Sequence, residues 1–329
     1  MTKVPVLVTG GAGYIGSHAV LALKDAGWPV AVIDDLSNGS RQVVPDNVPF
    51  YEGNVADRSL VDRIFEEERI EAIMHFAGSI VVPESVEQPL KYYANNTLAS
   101  HALISAAVAA GVKHVLFSST AATYGAPERV PIDEDDPKVP INPYGASKLM
   151  TERMLEDASA AHPFNYGALR YFNVAGADPE GRTGQLGKGS THLIKVACEA
   201  AVGKRDRIAV YGTDYPTPDG TCIRDYIHVS DLAAAHVAAL EWLVAHPSEN
   251  LVMNCGYGKG LSVLEVIDAV DRASGTSVKR VIEGRRAGDP PELVAGNARL
   301  LETLDWRPAY ADIDRIVGDA LAWERTLLD

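Results

Sequence analysis

Short apolar runs of strand length alternate with longer stretches of helical period through the first half of the chain. Residues 4–9 read as a buried strand, 15–26 as a helix and 30–34 as a second strand. Such an opening predicts a parallel sheet, because a helical crossover returns the second strand pointing the same way as the first. The alternation goes on with strands over 72–76, 114–118 and 167–172 and helices over 58–68, 90–110 and 145–161. Strands that read as apolar on both faces, separated by helices, predict an α/β protein with a doubly wound parallel sheet.

Beyond residue 173 the pattern changes to Gly-rich loops, short strands over 208–211 and 278–282, and amphipathic helices over 192–202, 232–245 and 263–273. A smaller C-terminal α/β lobe is expected there. The expected division is 1–173 and 174–329, with the two lobes sharing one crevice and free to exchange segments. The Pro-rich stretches 127–143 and 215–219 read as loops, since neither has the Ser, Gly or charge content of a linker.

Composition narrows the function classes. With 47% apolar and 22% charged residues the 329-residue chain has the makings of a packed core, which excludes a disordered or disulfide-stapled protein. The 30 Lys and Arg against 44 Asp and Glu give a net charge of −14, so neither nucleic acid nor an anionic membrane is an expected partner. An anionic ligand has to be held by a few placed cations. No export signal and no membrane-spanning run is visible, and Cys198, Cys222 and Cys255 are scattered, so a soluble, cytoplasmic protein is expected. No metal is implied: His75, His101, His114 and His236 lack the ligand spacing of a cluster and read as packing or hydrogen-bonding residues. The acidic run 133–136 reads as a solvated loop.

Two constellations carry chemistry. Gly10, Gly13 and Gly16 fall between the first strand and the first helix, where glycines allow a tight turn, close approach to a pyrophosphate and close helix packing. Asp34 ends the next strand, placed to accept hydrogen bonds from a ribose and to repel a 2′-phosphate, which predicts NAD over NADP in a Rossmann-like fold. Further on, Tyr144 and Lys148 lie four apart on one helix face, and Thr120 follows the strand 114–118. A free phenol has a pKa of about 10, so Tyr144 needs nearby positive charge to act as a base. Lys148 and an oxidised nicotinamide would supply it, and Thr120 would bind the reacting hydroxyl.

Taken with the blocks 9–18, 34–38, 75–78, Glu84-Ser85-Val86, 92–97, 117–125, 144–148, 169–177, 191–194, 224–231 and 286–289, the chain resembles the extended short-chain dehydrogenase/reductase family over nearly its whole length. The resemblance implies NAD as cofactor, and a reversible C4 epimerisation of UDP-galactose and UDP-glucose through a transient 4-keto sugar. It implies Tyr144 as acid and base, Lys148 on the nicotinamide ribose and Thr120 beside the sugar hydroxyl. It places Gly10, Gly13, Tyr14, Ile15, Gly16, Asp34, Asn38, Asn54, Val55, Phe76, Ala77, Gly78, Asn96 and Tyr171 with Tyr144 and Lys148 around the cofactor. Substrate contacts are implied for Thr120, Asn173, His192, Leu193, Tyr211, Arg224, Arg286 and Asp289, the two arginines on the diphosphate. A homodimer through helices 90–110 and 145–161 is implied as well.

The chain departs from the family pattern at Ile80, often Lys, at Asn54, often Asp, and at His192, often Asn. Leu293 falls where bulk helps decide whether an N-acetylated sugar fits. Ala121 and Ala122 stand where related dehydratases carry an Asp-Glu pair, which argues against dehydration. Epimerisation of UDP-N-acetylglucosamine or UDP-glucuronate is the alternative, with a non-catalytic dinucleotide sensor as the rival from another class.

Overall fold

The computed structural model of the chain describes residues 3–186, 190–286 and 289–328. Its first half runs β1 (Val6–Thr9), α1 (Tyr14–Asp25), β2 (Val30–Asp34), β3 (Phe50–Glu52), α2 (Arg58–Glu67), β4 (Ala72–His75), α3 (Val82–Glu87), α4 (Pro89–Tyr92), α5 (Ala99–Ala110), β5 (His114–Thr120), α6 (Pro143–Ala161) and β6 (Asn165–Tyr171). The second half runs β7 (Asn173–Ala175), α7 (Leu193–Ala201), β8 (Ile208–Tyr211), β9 (Ile223–His228), α8 (Val229–Ala245), β10 (Leu251–Cys255), β11 (Gly260–Ser262), α9 (Val263–Ser274), β12 (Arg280–Glu283), β13 (Glu292–Leu293), α10 (Ala298–Thr303) and α11 (Ile313–Thr326).

Seven parallel strands form the main sheet in the order β10-β6-β5-β4-β1-β2-β3. The period of two along each strand divides the apolar residues between two helical layers. Val6, Val8 and Met74 pack with Val20 and Leu23 of α1 and Leu232 and Leu240 of α8. Leu7, Ile33 and Ile73 pack instead with Val61 and Ile64 of α2 and Leu103 of α5. The strand order reverses at β1 and β4, so their carboxyl ends open the crevice where such sheets bind ligands.

The chain crosses the expected boundary at residue 174. Strand β10 pairs with β6, and α8 packs on the α1 face, so both complete the first sheet from the far half of the sequence. The remainder forms a smaller unit in which β7 and β13 pair in parallel and β11 pairs antiparallel with β9, beside a β8–β12 pair. Helices α7, α9 and α11 enclose its own core around Ile194, Cys198, Val266, Val270, Ile316 and Leu321.

Several expectations change; the helix expected over 232–245, for one, begins at Val229, and the strand expected over 278–282 is Arg280–Glu283. The strand expected at 167–172 begins at Asn165 and ends at Tyr171. The single helix expected over 90–110 is divided by a π-helical turn at Tyr93–Leu98, which turns Asn96, 2% exposed, toward α6. The run 133–136 is only partly solvated: Glu134 is 5% exposed and its carboxylate accepts from the Asn254 backbone N–H at 2.8 Å. Among the described residues no helix is long and apolar enough to cross a membrane.

Candidate active site

The turn from β1 to α1 is built by close backbone approaches. Gly10 has φ +68°, and a Cβ there would lie 2.7 Å from the Ala77 nitrogen; one on Gly16 would lie 2.1 Å from the Gly10 carbonyl oxygen. Gly13 caps α1 with no side-chain acceptor on the first N–H groups. A helix N-terminus of this kind offers those donors and the positive end of its dipole to an anion, so the residues present fit a dinucleotide pyrophosphate. The Tyr14 hydroxyl donates to the Gly176 carbonyl at 2.7 Å, tying the start of α1 to the loop after β7, and Ile15 packs on the sheet.

Asp34 ends β2 with its carboxylate accepting from the backbone N–H of Ala12 at 2.9 Å and of Leu36 at 2.8 Å. Those bonds hold it at the rim while burial raises its pKa. Asn54 reaches the same edge, donating to Asp35 at 3.3 Å, beside the buried Val55; Asn38 is exposed nearby. Arg41, the cation closest in sequence, is turned away onto the Phe50 ring at 4.9 Å and the Val44 carbonyl at 2.6 Å. Phe76, Ala77 and Gly78 follow β4, the Ala77 N–H donating to the Thr9 hydroxyl at 3.3 Å.

The opposite rim comes from β5, β6 and α6. Asn142 caps α6 by accepting from the Gly145 N–H at 2.9 Å, with Pro143 at the first helical position, which sets Tyr144 in the first turn. Asn96 locks this helix to the loop after β4: it bonds both N–H and C=O of Ser79, at 2.7 and 3.0 Å, and donates to the Ser147 hydroxyl at 2.9 Å. Thr120 closes β5, and its hydroxyl accepts from the Ala122 N–H at 3.2 Å. Tyr144 and Lys148 are 8% and 3% exposed.

Lys148 Nζ donates to the Ser118 carbonyl at 2.9 Å and lies 4.8 Å from the Phe117 ring centroid. Burial pulls its pKa down to about 8. Burial also raises the Tyr144 phenol above its ordinary value, with the Thr120 side chain acting the other way. The lowering expected from Lys148 therefore does not set the balance in the polypeptide alone, which holds the phenol protonated. The hydroxyls of Ser118 and Tyr171 hydrogen bond to each other, so Ser118 touches both the lysine and a second, partly buried phenol. His75 is a hydrogen-bonding strut, as its isolation in the sequence predicts: its ring nitrogens meet the Thr9 and Ser100 hydroxyls at 2.7 and 2.8 Å.

Across the crevice, Asn173 on β7 pairs in register with Tyr226 on β9. On β9, Arg224 is 7% exposed and forms an ion pair with Asp289, with further bonds to the carbonyls of Ile223 at 2.7 Å and Pro290 at 2.8 Å. Arg286 is exposed and stacks 3.9 Å from the Tyr211 ring centroid, making no ion pair among the described residues. Residues 287 and 288 of the 286–289 block lie outside the described residues. His192 precedes α7 and meets Gln185 at 2.9 Å, whereas Leu193 packs against the second core. Among the described residues no cluster of His, Cys, Asp and Glu could hold a metal ion.

Sequence reasoning missed Ser118, Ser147 and a buried Glu152–Arg170 pair behind the site. One signal was present: Arg170 interrupts an otherwise apolar strand, and Glu152 lies two helical turns beyond Tyr144.

Comparison with known proteins follows the same lines. The family model described as the NAD dependent epimerase/dehydratase family matches residues 6–256. The UDP-glucose 4-epimerase of Azospirillum brasilense is 60% identical over 322 residues, 98% of this chain and 92% of that one. The crystal structure of UDP-glucose 4-epimerase from Brucella ovis in complex with NAD superposes with a TM-score of 0.94 at 45% identity, covering 98% of each chain. That of the Bifidobacterium longum enzyme in complex with NAD+ and UDP superposes with a TM-score of 0.92 at 39% identity, again over 98% of each.

Proposed function

This chain belongs to the NAD dependent epimerase/dehydratase family, and from that premise we propose how its residues divide the work of the reaction it catalyses, the NAD-dependent interconversion of UDP-galactose and UDP-glucose. The observation that carries the assignment is that the Tyr144 side chain hydrogen bonds with Thr120, and Lys148 with the Ser118 carbonyl, at the carboxyl end of β5. NAD, held at the Gly10–Gly16 turn and by Asp34, would supply reversible hydride-transfer chemistry at C4 with no net redox change. Tyr144 takes the proton of the 4-hydroxyl and gives it back, and Thr120 orients that hydroxyl. Lys148, fixed by the Ser118 carbonyl, supplies positive charge that favours the phenolate, and Asp34 accepts from the adenosine ribose.

The ketone has to stay bound between the two half-reactions, so the nucleotide end carries the affinity and the sugar end is free to turn. Among the described residues Arg286 makes no ion pair and is the cation proposed to meet the diphosphate first, while Arg224 is held by Asp289 until the ligand arrives. Leu293 pairs in register with Arg224, and the family resemblance is what makes its bulk bear on which C2 substituents fit.

The cofactor-binding unit in this reading comprises residues 1–173 together with α8 and β10, and the rest of 174–329 holds the UDP-sugar. A second copy of the chain is the proposed partner for the apolar face of α3 to α6. Leu90, Leu98 and Val86 are 79%, 65% and 63% exposed there, with Met150 beside Thr97. The three cysteines are buried and free, in keeping with a cytoplasmic location.

Purified protein is expected to convert UDP-galactose to UDP-glucose with no added reductant. Tyr144→Phe is expected to lose ~100-fold or more in turnover while binding UDP as before. Product analysis with a calorimetric UDP titration checks both, and an undiminished rate in Tyr144→Phe would remove this residue from the mechanism.

A further inference from the structure

Behind the reacting groups lies a charged side chain that the roles above leave unused. Glu152 follows Lys148 by four residues and Tyr144 by eight on α6, so the three share one helix face. It is 6% exposed. Its carboxylate accepts from Arg170 Nε at 3.0 Å and Nη2 at 2.6 Å, and also from the Ser119 hydroxyl. Arg170 immediately precedes Tyr171 on β6, and Ser119 immediately precedes Thr120 on β5.

One carboxylate thus ties the helix that carries Tyr144 and Lys148 to the two strand ends that carry Thr120 and Tyr171. The guanidinium is held from its other edge, where Nη1 donates to the Tyr124 hydroxyl at 2.9 Å and to the Glu134 carbonyl at 3.1 Å. A buried ion pair is by itself weak evidence of stabilisation, because desolvation offsets the attraction. The third ligand distinguishes this one. Successive strand residues point to opposite faces, so Ser119 grips the end of β5 from one side while Thr120 presents its hydroxyl on the other.

From this geometry we infer that Glu152, acting through Ser119, is a positioning residue that fixes the spacing between Thr120 and Tyr144 for proton transfer. Small errors in that spacing are costly, since displacement by about 1 Å can cost a hundredfold in rate. The inference rests on the assignment of Thr120 and Tyr144 as the groups that touch the sugar hydroxyl.

Ser119→Ala isolates the tether, because it leaves the Glu152–Arg170 pair intact. In the full-length, NAD-loaded enzyme it should lower kcat for UDP-galactose about tenfold, with KM and the dissociation constant of UDP within twofold of wild type. In a Thr120→Ala background the same substitution should change kcat less than twofold, because the group it positions is gone. A Ser119→Ala enzyme with wild-type kcat, or one slowed equally in both backgrounds, overturns the clamp alone. Thr120→Ala with wild-type turnover overturns the reading of Thr120 and the clamp with it.

Discussion

Two buried cations stand close behind the same crevice, and only one of them is paired with an anion among the described residues. Arg170, 4% exposed, has a carboxylate on one edge of its guanidinium and a phenol and a carbonyl on the other, and its pKa is raised although burial alone would lower it. Lys148, 3% exposed, has a carbonyl and an aromatic ring but no carboxylate among the described residues, and burial pulls its pKa to about 8. Charge is paired where the scaffold must hold its shape. It is left unpaired beside Tyr144, where a carboxylate would cancel the field that a phenolate needs. The fold therefore carries a local cost at Lys148 that a purely structural design would remove.

The sharpest way to break the contrast is to treat both cations alike. Glu152→Leu leaves Arg170 buried without its anion, and urea unfolding is expected to record a loss of about 3–5 kcal/mol. A loss under 1 kcal/mol would mean that the pair is not structural.

Lys148→Met should act in the other direction. The fall in pKa from 10.5 to about 8 corresponds to roughly 3 kcal/mol of destabilisation at pH 7. Methionine loses the bond to the Ser118 carbonyl, worth ~1 kcal/mol, so a net gain of about 1–2 kcal/mol is expected with turnover nearly abolished. Equal or lower stability in the variant would contradict a strained lysine.

The smallest effect is the pH dependence of that gain. Below about pH 8 the lysine is charged in both folded and unfolded chains, and its full cost is present. Between about 8 and 10.5 the unfolded chain binds the proton more readily than the folded one, so wild-type stability rises with pH relative to Lys148→Met. Paired melting curves at pH 7 and pH 9.5 should show the gap narrowing. A gap that stays constant or widens would mean that Lys148 is not the source.

The contrast also marks how far the sequence could be read. Apolar periodicity located β1, α1, β2 and β4, and the glycine spacing located the tight turn between β1 and α1, because each is a local pattern. Strand β10 was missed since five residues, Leu251–Cys255, give little periodicity between helices, and only pairing with β6 makes them a strand. The π turn at Tyr93–Leu98 follows from tertiary fit around Asn96, with no local signature. Tyr144 and Lys148 were legible as a pair from their spacing. What neutralises each charge was not, because Glu152 and Arg170 are 18 residues apart and meet only once α6 lies against β6.

If unpaired positive charge at Lys148 helps make Tyr144 a base, ultraviolet titration of the Tyr144 phenol in NAD-loaded protein, with Tyr144→Phe as the blank, will record it. Wild type is expected to titrate well below the free phenol value of about 10, and Lys148→Met to titrate at least one pH unit higher than wild type. Coincident titrations in the two proteins would contradict the account.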